Sequence, residues 1–181
     1  SIAPRVVPLL ADELLRAPVI DLLGELGDED AAIPLVTLLN TSDAPADVVA
    51  DALAGLHERY ERGYAAGDHI AGLVRRGVNA RGTQRILDAV QRVATDRLPG
   101  LAKVLGWLEG EAVQRALARL LGNDTVRSQI VEALVRHGVD PARLILVEFN
   151  PVFCSLLRAR YPAATVVQGD AYRLRRLLEN Y

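Results

Sequence analysis

Few residues of this sequence have the type and spacing that chemistry requires. Its three histidines, His57, His69 and His137, are dispersed, and none lies at the distance from another histidine or a carboxylate that a metal site needs. A single cysteine, Cys154, excludes an intrachain disulfide and a cysteine-based zinc cluster, and we expect it to be a small buried side chain. The sequence has neither a Walker loop nor a G-x-S-x-G nucleophile motif. We therefore expect no catalytic residue and no metal ligand.

One acidic residue is the exception. Glu148 follows directly after the apolar run of residues 144–147, and Asn150 and Pro151 come just after it. An apolar run of this kind is typical of a strand in the core of a sheet, where an acidic residue at the very end is unusual. The pattern marks Glu148 as a candidate binding residue, and an inherited structural remnant is the alternative interpretation.

Composition places the chain among soluble globular proteins. Half of its 181 residues are hydrophobic and 24% are charged, which suits one or two domains with a substantial core. Its apolar runs are far shorter than the ~20 residues that a membrane helix needs, and no signal-peptide pattern opens the chain, so we expect no membrane span and a cytoplasmic location. The absence of methionine predicts a processed, excised or engineered segment.

Charge is unevenly distributed along the chain. Residues 1–58 have two arginines against eleven acidic residues, a net charge of −9, whereas residues 59–138 have thirteen basic against eight acidic residues, a net charge of +5. A basic segment can favour an anionic partner, but solvated helix faces are the favoured explanation. Because no arginine run or interleaved aromatic ladder is present, we do not expect nucleic-acid binding.

Apolar residues recur at helical spacing as far as His137. In the first helix, six residues are expected to share one broad buried face: Leu14, Leu15, Val19, Leu22, Leu23 and Leu26. Later helices are predicted in pairs at residues 46–62 with 68–76, 80–94 with 97–108, and 111–121 with 124–137. Three aspartates 28 residues apart open the second helices: Asp68, Asp96 and Asp124. Such a period predicts an α-solenoid of about four helix pairs, with a plain bundle as the alternative.

The segment "LLGELGDEDAAIPLVTLLN", residues 22–40, resembles the HEAT-like repeat of the phycobilisome-lyase type. It has the Leu-Gly-x-Leu-Gly-Asp turn followed by Ala-x-Pro-Leu at the start of the second helix. The match is close in this first pair and degenerate in the later ones. The resemblance implies a curved scaffold that presents a surface to a partner and performs no chemistry itself.

After Gly138 the pattern changes to strand, helix, strand, helix, a parallel α/β arrangement. The stretch from "IVEALVRHGVDPARLILVEFNP" to "VVQGDAYRL" resembles class I S-adenosylmethionine-dependent methyltransferases, in particular the bacterial phospholipid N-methyltransferase type. The resemblance implies that Glu148 binds the cofactor's ribose hydroxyls and that Asp170 and Ala171 contact the adenine.

This C-terminal segment departs from that family in one important respect. A glycine-rich loop is expected roughly 20 residues before the ribose-binding acid, but "LLGNDTVRSQ" has only Gly122, and no strand precedes it. We therefore predict a methyltransferase-like fragment without activity. Two parallel strands cannot bury both faces of their sheet alone, so they must dock on the helices or pair with another copy.

These patterns predict a mainly α protein: a HEAT-like solenoid at residues 1–137 joined to a partial Rossmann-like βαβα lobe at residues 138–181. The expected function is a non-catalytic scaffold or interaction module without a cofactor, whose partner is another protein or a second copy. The alternatives are an S-adenosylmethionine-binding methyltransferase remnant and a nucleic-acid-binding HEAT-like protein. The helix "SQIVEALVRHG" serves both folds, which favours an engineered chimera, with natural fusion or decay as the rival origin.

Overall fold

A computed structural model of the chain describes residues 1–170. The fold is mainly helical and ends in a small parallel sheet of two strands. The chain divides into two compact units, Ser1–Leu134 and Val135–Tyr181. No helix within residues 1–170 is both long and apolar enough to span a lipid bilayer.

The first unit consists of helices connected by short turns. Its elements are α1 (Ala3–Val6), α2 (Glu13–Leu26), α3 (Ala32–Thr41), α4 (Ala46–Tyr64), α5 (Gly67–Gly77), α6 (Ala80–Arg92), α7 (Leu98–Leu105), α8 (Glu111–Leu120) and α9 (Arg127–Arg136), whose last two residues belong to the second unit. The six helices predicted from residue 46 onward are all present, with bounds within three residues of those expected. Periodicity was a sufficient signal because each helix buries one apolar stripe.

Helix α4 is the centre of the first unit. It packs against α2, α3, α5, α6 and α7, and Val49, Ala50, Leu53 and Leu56 on it are fully buried. Helix α3 also packs against α6, so the first predicted helix pair contacts the third directly. The packing of this unit is therefore not limited to neighbouring pairs.

The predicted buried face of α2 is partly wrong. Leu14 and Leu26 are 88% and 64% exposed, and Leu15 is also exposed. The residues that α2 buries are Val19, Ile20, Leu23 and Gly24. A Cβ at Gly24 would lie 2.8 Å from the Cα of Ala52 on α4. The side of α2 that carries Gly24 therefore packs against α4, and Leu14 and Leu26 at the ends of α2 are exposed to solvent.

Ala65 ends α4 in a left-handed conformation, with a φ of 50°. Its N–H donates to the Glu61 carbonyl at 3.0 Å, and the N–H of Ala66 donates to the Tyr60 carbonyl at 3.2 Å. Glycine is favoured at such a position because it has no Cβ to crowd the following carbonyl.

We expect Ala65→Gly to raise the free energy of unfolding by about 0.5–1 kcal/mol, measured by urea denaturation. The control is Ala66→Gly, which should bring no gain because φ there is −123°; an equal gain would contradict this explanation.

The second unit contains β1 (Ile145–Glu148), α10 (Pro151–Arg160) and β2 (Thr165–Gln168), which confirms the predicted strand, helix and strand. The strands pair in parallel, from Ile145 opposite Thr165 to Glu148 opposite Gln168. Helix α10 begins where the Asn150 side chain accepts a hydrogen bond from the Val152 N–H at 2.9 Å, with proline in the first turn. The helix predicted after β2 lies outside the described residues.

Candidate functional site

The two acidic residues predicted to bind a cofactor lie at one edge of the sheet. Glu148 is the last residue of β1, and Asp170 comes two residues after its register partner Gln168. The Asn150 N–H donates to Glu148 Oε1 at 2.8 Å, and the Gly169 N–H donates to the Glu148 carbonyl at 3.0 Å. Both acidic residues are half-buried. The carboxyl ends of parallel strands are where ligands bind in open α/β sheets, but Ala171, the third predicted residue, lies outside the described residues.

The S-adenosylmethionine site that the resemblance implies is incomplete within residues 135–170, where no strand precedes β1 to carry a glycine-rich loop. Gly122, the glycine at the expected distance, follows α8 and belongs to the other unit. Without backbone N–H groups close to the cofactor's amino-acid end, the site lacks hydrogen bonds to a charged group that each contribute about 1.5–3 kcal/mol.

We expect no measurable binding of S-adenosylhomocysteine to the full chain. Losing two such hydrogen bonds weakens a micromolar site to roughly millimolar or beyond, at about 1.4 kcal/mol per tenfold. Calorimetric titration up to millimolar ligand checks this, with Glu148→Ala as the comparison. Micromolar binding by the wild-type chain that disappears in Glu148→Ala would mean that a cofactor site exists at this edge.

Exposed large apolar residues are concentrated in the same unit. Of eleven exposed large hydrophobic residues, five lie within the twelve residues from Ile145 to Leu156. Phe149, Val152, Phe153 and Leu156 keep 75%, 65%, 54% and 57% of their surface in contact with solvent. The six in the first unit are spread over 56 residues, as is normal for single exposed apolar side chains.

Helical geometry groups three of these side chains on α10. Val152, Phe153 and Leu156 are spaced to share one side of the helix, and Phe149 lies two residues before the helix begins. The opposite side is marked by Cys154, which is fully buried as predicted and whose Sγ donates to the Glu148 carbonyl at 3.2 Å. We call Phe149, Val152, Phe153 and Leu156 the α10 face. Sequence reasoning identified the helix but missed this face, although the i,i+4 pair of Val152 and Leu156, on the side away from Cys154, was a usable signal.

A groove of about 380 Å³ between α2 and α4 carries acidic residues. Its lining residues include Asp21, Glu25, Asp51 and Glu58. Burial raises the pKa of Asp51, and Asp47 and Asp21 raise it further, against the lowering effect of Arg97. Glu58 accepts a hydrogen bond from Lys103 at 2.9 Å. The groove is thus partly neutralised by ion pairs that connect α4 with α7.

Several basic residues of the segment with a net charge of +5 are used within the fold. Arg59 donates to the carbonyls of Glu25 and Gly27, and Arg85 donates to three carbonyls at the end of α3 and after it. Arg97 pairs with Asp47 at 3.0 Å. These side chains stabilise helix ends and helix contacts, which reduces the positive charge that the segment offers to an anionic partner.

Two of the histidines contact side chains of other elements in the first unit. His57 stacks on Trp107 with ring centroids 4.9 Å apart, and Trp107 is 5% exposed. His69 Nε2 lies 2.8 Å from the carboxylate of Glu29. Within residues 1–170, no group of three or more histidine, cysteine, aspartate or glutamate side chains is arranged to hold a metal ion.

Comparison with known proteins gives no match: no family model, no curated protein and no solved structure is detectably similar to this chain.

Proposed function

We propose that this protein is a non-catalytic interaction module, in which the helices of the first unit form a stable scaffold and the α10 face binds another protein surface. The observation that carries the proposal is the concentration of exposed apolar side chains on α10 and directly before it. Four large apolar residues within eight positions leave roughly 500 Å² of apolar surface in water, close to the largest patch found on typical monomers and often functional there.

Stability of the first unit supports the scaffold role. Its core side chains are apolar, and polar contacts far apart in sequence join its helices, such as Lys103 with Glu58 and Arg97 with Asp47. The Asn40 side chain donates to the Gly77 carbonyl at 2.8 Å and accepts from the Asn79 N–H at 3.0 Å, so that α3 holds the turn between α5 and α6. A scaffold of this kind keeps its shape while a surface is occupied.

The finer description of the first unit as a HEAT-like solenoid remains part of this proposal. It is supported by the four consecutive helix pairs from α2 to α9 and by the 28-residue spacing of Asp68, Asp96 and Asp124. The contact between α3 and α6 is additional to the nearest-neighbour contacts of an ideal repeat.

Photo-crosslinking tests the interaction function. The full chain is produced with the photoreactive residue p-benzoylphenylalanine in place of Phe153. Crosslinking is then carried out both in the cells that make the protein and on the purified protein. We expect one discrete protein adduct whose yield falls when Leu156 on the same face is changed to serine. The matched control has the same photoreactive residue at Leu14, which is 88% exposed on α2, and should give no discrete adduct. Equal yields at the two positions, or no adduct at either, would contradict the proposed function.

A further inference from the structure

A groove of about 450 Å³ in the first unit is lined on one side by basic residues. It lies between α6 and residues 42–47, which lead from α3 into α4. Three arginines of α6 line it: Arg81, Arg85 and Arg92. Ala46 on α4 and Ala89 on α6 add apolar lining. The groove is large enough for a small molecule, because ligand pockets occupy about 300–1,000 Å³.

The guanidinium group of Arg85 is held in a fixed position by the main chain. Its two terminal nitrogens donate to the carbonyls of Leu38, Leu39 and Ala44. These bonds use three of the five N–H groups of an arginine, and two are left for another acceptor. Carbonyl oxygens carry no net charge, so these bonds leave the positive charge of Arg85 in place. An anion that binds here therefore meets a positive group that needs no further ordering.

Arg81 brings a second guanidinium group to the same groove. It lies one turn before Arg85 on α6, a spacing that puts two side chains on the same side of a helix. Burial lowers the pKa of Arg85, and Arg81 lowers it further, against a smaller raising effect of Asp43. The two like charges are thus close enough to repel each other, and Arg81 forms no ion pair within residues 1–170. An anion between the two groups would replace this repulsion by attraction.

The acidic residues of the groove already have partners. Asp43 pairs with Arg16 and Asp47 pairs with Arg97, both at 3.0 Å. Neither of these two arginines is among the residues that line the groove. Arg92, two turns beyond Arg85 on α6, also forms no ion pair in the part of the chain that the structure describes. Three positive side chains thus share the groove with two carboxylates that already pair elsewhere.

We propose that this groove binds a phosphate group, held between Arg81 and Arg85, either as the free anion or as the monoester of a small molecule. Two charges and a tetrahedral set of oxygens allow one phosphate to accept from both guanidinium groups, and paired N–H···O contacts of this kind are among the strongest that arginine makes. A carboxylate has one charge and two oxygens, so it matches a single guanidinium group better than two. The site lies in the first unit and is independent of the α10 face.

Calorimetric titration of the full chain tests the site, in a phosphate-free buffer at about pH 8, where a phosphate monoester carries two charges. About 150 mM NaCl screens weak attraction to the general surface. The probes are inorganic phosphate, phenyl phosphate and benzoate, up to millimolar concentration. We expect both phosphate probes to bind, and benzoate to bind at least about tenfold more weakly, because it offers one charge in place of two. Arg81→Met should weaken phosphate binding by about tenfold or more. Arg81 is the residue to change because Arg85 also stabilises the end of α3.

Arg119→Met is the matched control. Arg119 is exposed and lies one turn after Arg115 on α8, outside the groove, so the substitution should leave phosphate binding unchanged. Urea denaturation verifies that both variants are folded. Tighter binding of phenyl phosphate than of inorganic phosphate assigns the site to a monoester, whereas equal or weaker binding assigns it to the free anion, and both outcomes support the site.

Four results would overturn the inference. They are a wild-type chain that binds neither phosphate probe, phosphate binding that Arg81→Met leaves intact, an equal loss of binding in Arg119→Met, and benzoate binding as tight as that of the phosphate probes. An equal loss in the two variants would mean that phosphate is attracted to the general positive charge of the surface. Tight benzoate binding would mean that the groove selects a carboxylate.

Discussion

Replacing Gly100 by alanine is expected to lower the free energy of unfolding by about 3 kcal/mol, the upper end of the usual range for overpacking. Gly100 lies on α7 against Asp51 of α4, and an added Cβ would be 2.9 Å from both the Cα and the N of Asp51, besides contacting its carboxylate. Backbone atoms cannot move aside as a flexible side chain does. The two helices would have to separate, which would strain the contact between Lys103 and Glu58 along the same pair.

Urea denaturation followed by the fluorescence of Trp107 measures this effect. Trp107 is the chain's single tryptophan and is buried within the first unit, so its signal reports the unfolding of that unit. Gly63→Ala is the control: this glycine is on α4, and a Cβ there would have no atom within 4 Å, so alanine should stabilise by up to about 1 kcal/mol through helix propensity. If both substitutions stabilise the chain, close packing at Gly100 is not the cause.

The expected loss at Gly100 also shows what the sequence does not reveal. A glycine in a helical stretch reads as a weak helix position or as a turn, and nothing in "LPGLAKVLG" indicates that a helix 50 residues earlier packs against it. Gly24 has the same property toward Ala52. Glycines of both α2 and α7 thus approach α4 closely, and α2 buries Val19, Ile20, Leu23 and Gly24 while Leu14 and Leu26 are exposed.

Helix and strand positions were predictable because the signal for them is local. Each signal lies within a few residues of the element that it defines. These signals are the helical spacing of apolar residues, Gly27 after α2, and the apolar run before Glu148. The shared position of Glu148 and Asp170 at one sheet edge was also predictable, since the ends of successive parallel strands meet there. The α10 face required knowledge of which side of the helix the sheet covers, and Cys154 at 0% exposure supplies it.

Arginine is a further case in which sequence reasoning was incomplete. As residues of a segment with a net charge of +5, Arg59 and Arg85 were interpreted as surface charge. Each instead crosses to a helix end that is 32 to 47 residues away in sequence. Helix C-termini leave carbonyls without intrahelical donors, and a guanidinium group satisfies several at once. Some of the basic residues that suggested an anionic partner therefore contribute to the stability of the first unit.

Arg85→Met is expected to destabilise the first unit by about 3 kcal/mol. The Arg85 guanidinium donates to the carbonyls of Leu38 at 2.9 Å and Leu39 at 2.8 Å, and also to that of Ala44. Burial lowers the pKa of Arg85, and neighbouring Arg81 lowers it further, so the charge is held there against a desolvation cost. Methionine keeps the apolar stem of the side chain, and the loss therefore reports the hydrogen bonds and the charge at the end of α3.

Two variants give this prediction its controls, with the same urea denaturation as the measurement. Arg81→Met makes the identical change at an exposed position one turn earlier on α6, and we expect it to alter the free energy of unfolding by no more than about 0.5 kcal/mol. Arg85→Lys keeps the charge but not the fork of donors, so it should recover less than half of the loss. Full recovery by lysine would mean that charge alone stabilises the end of α3. Equal losses in the two methionine variants would mean that the carbonyl contacts contribute nothing, and that the helices of the first unit are held by their apolar core.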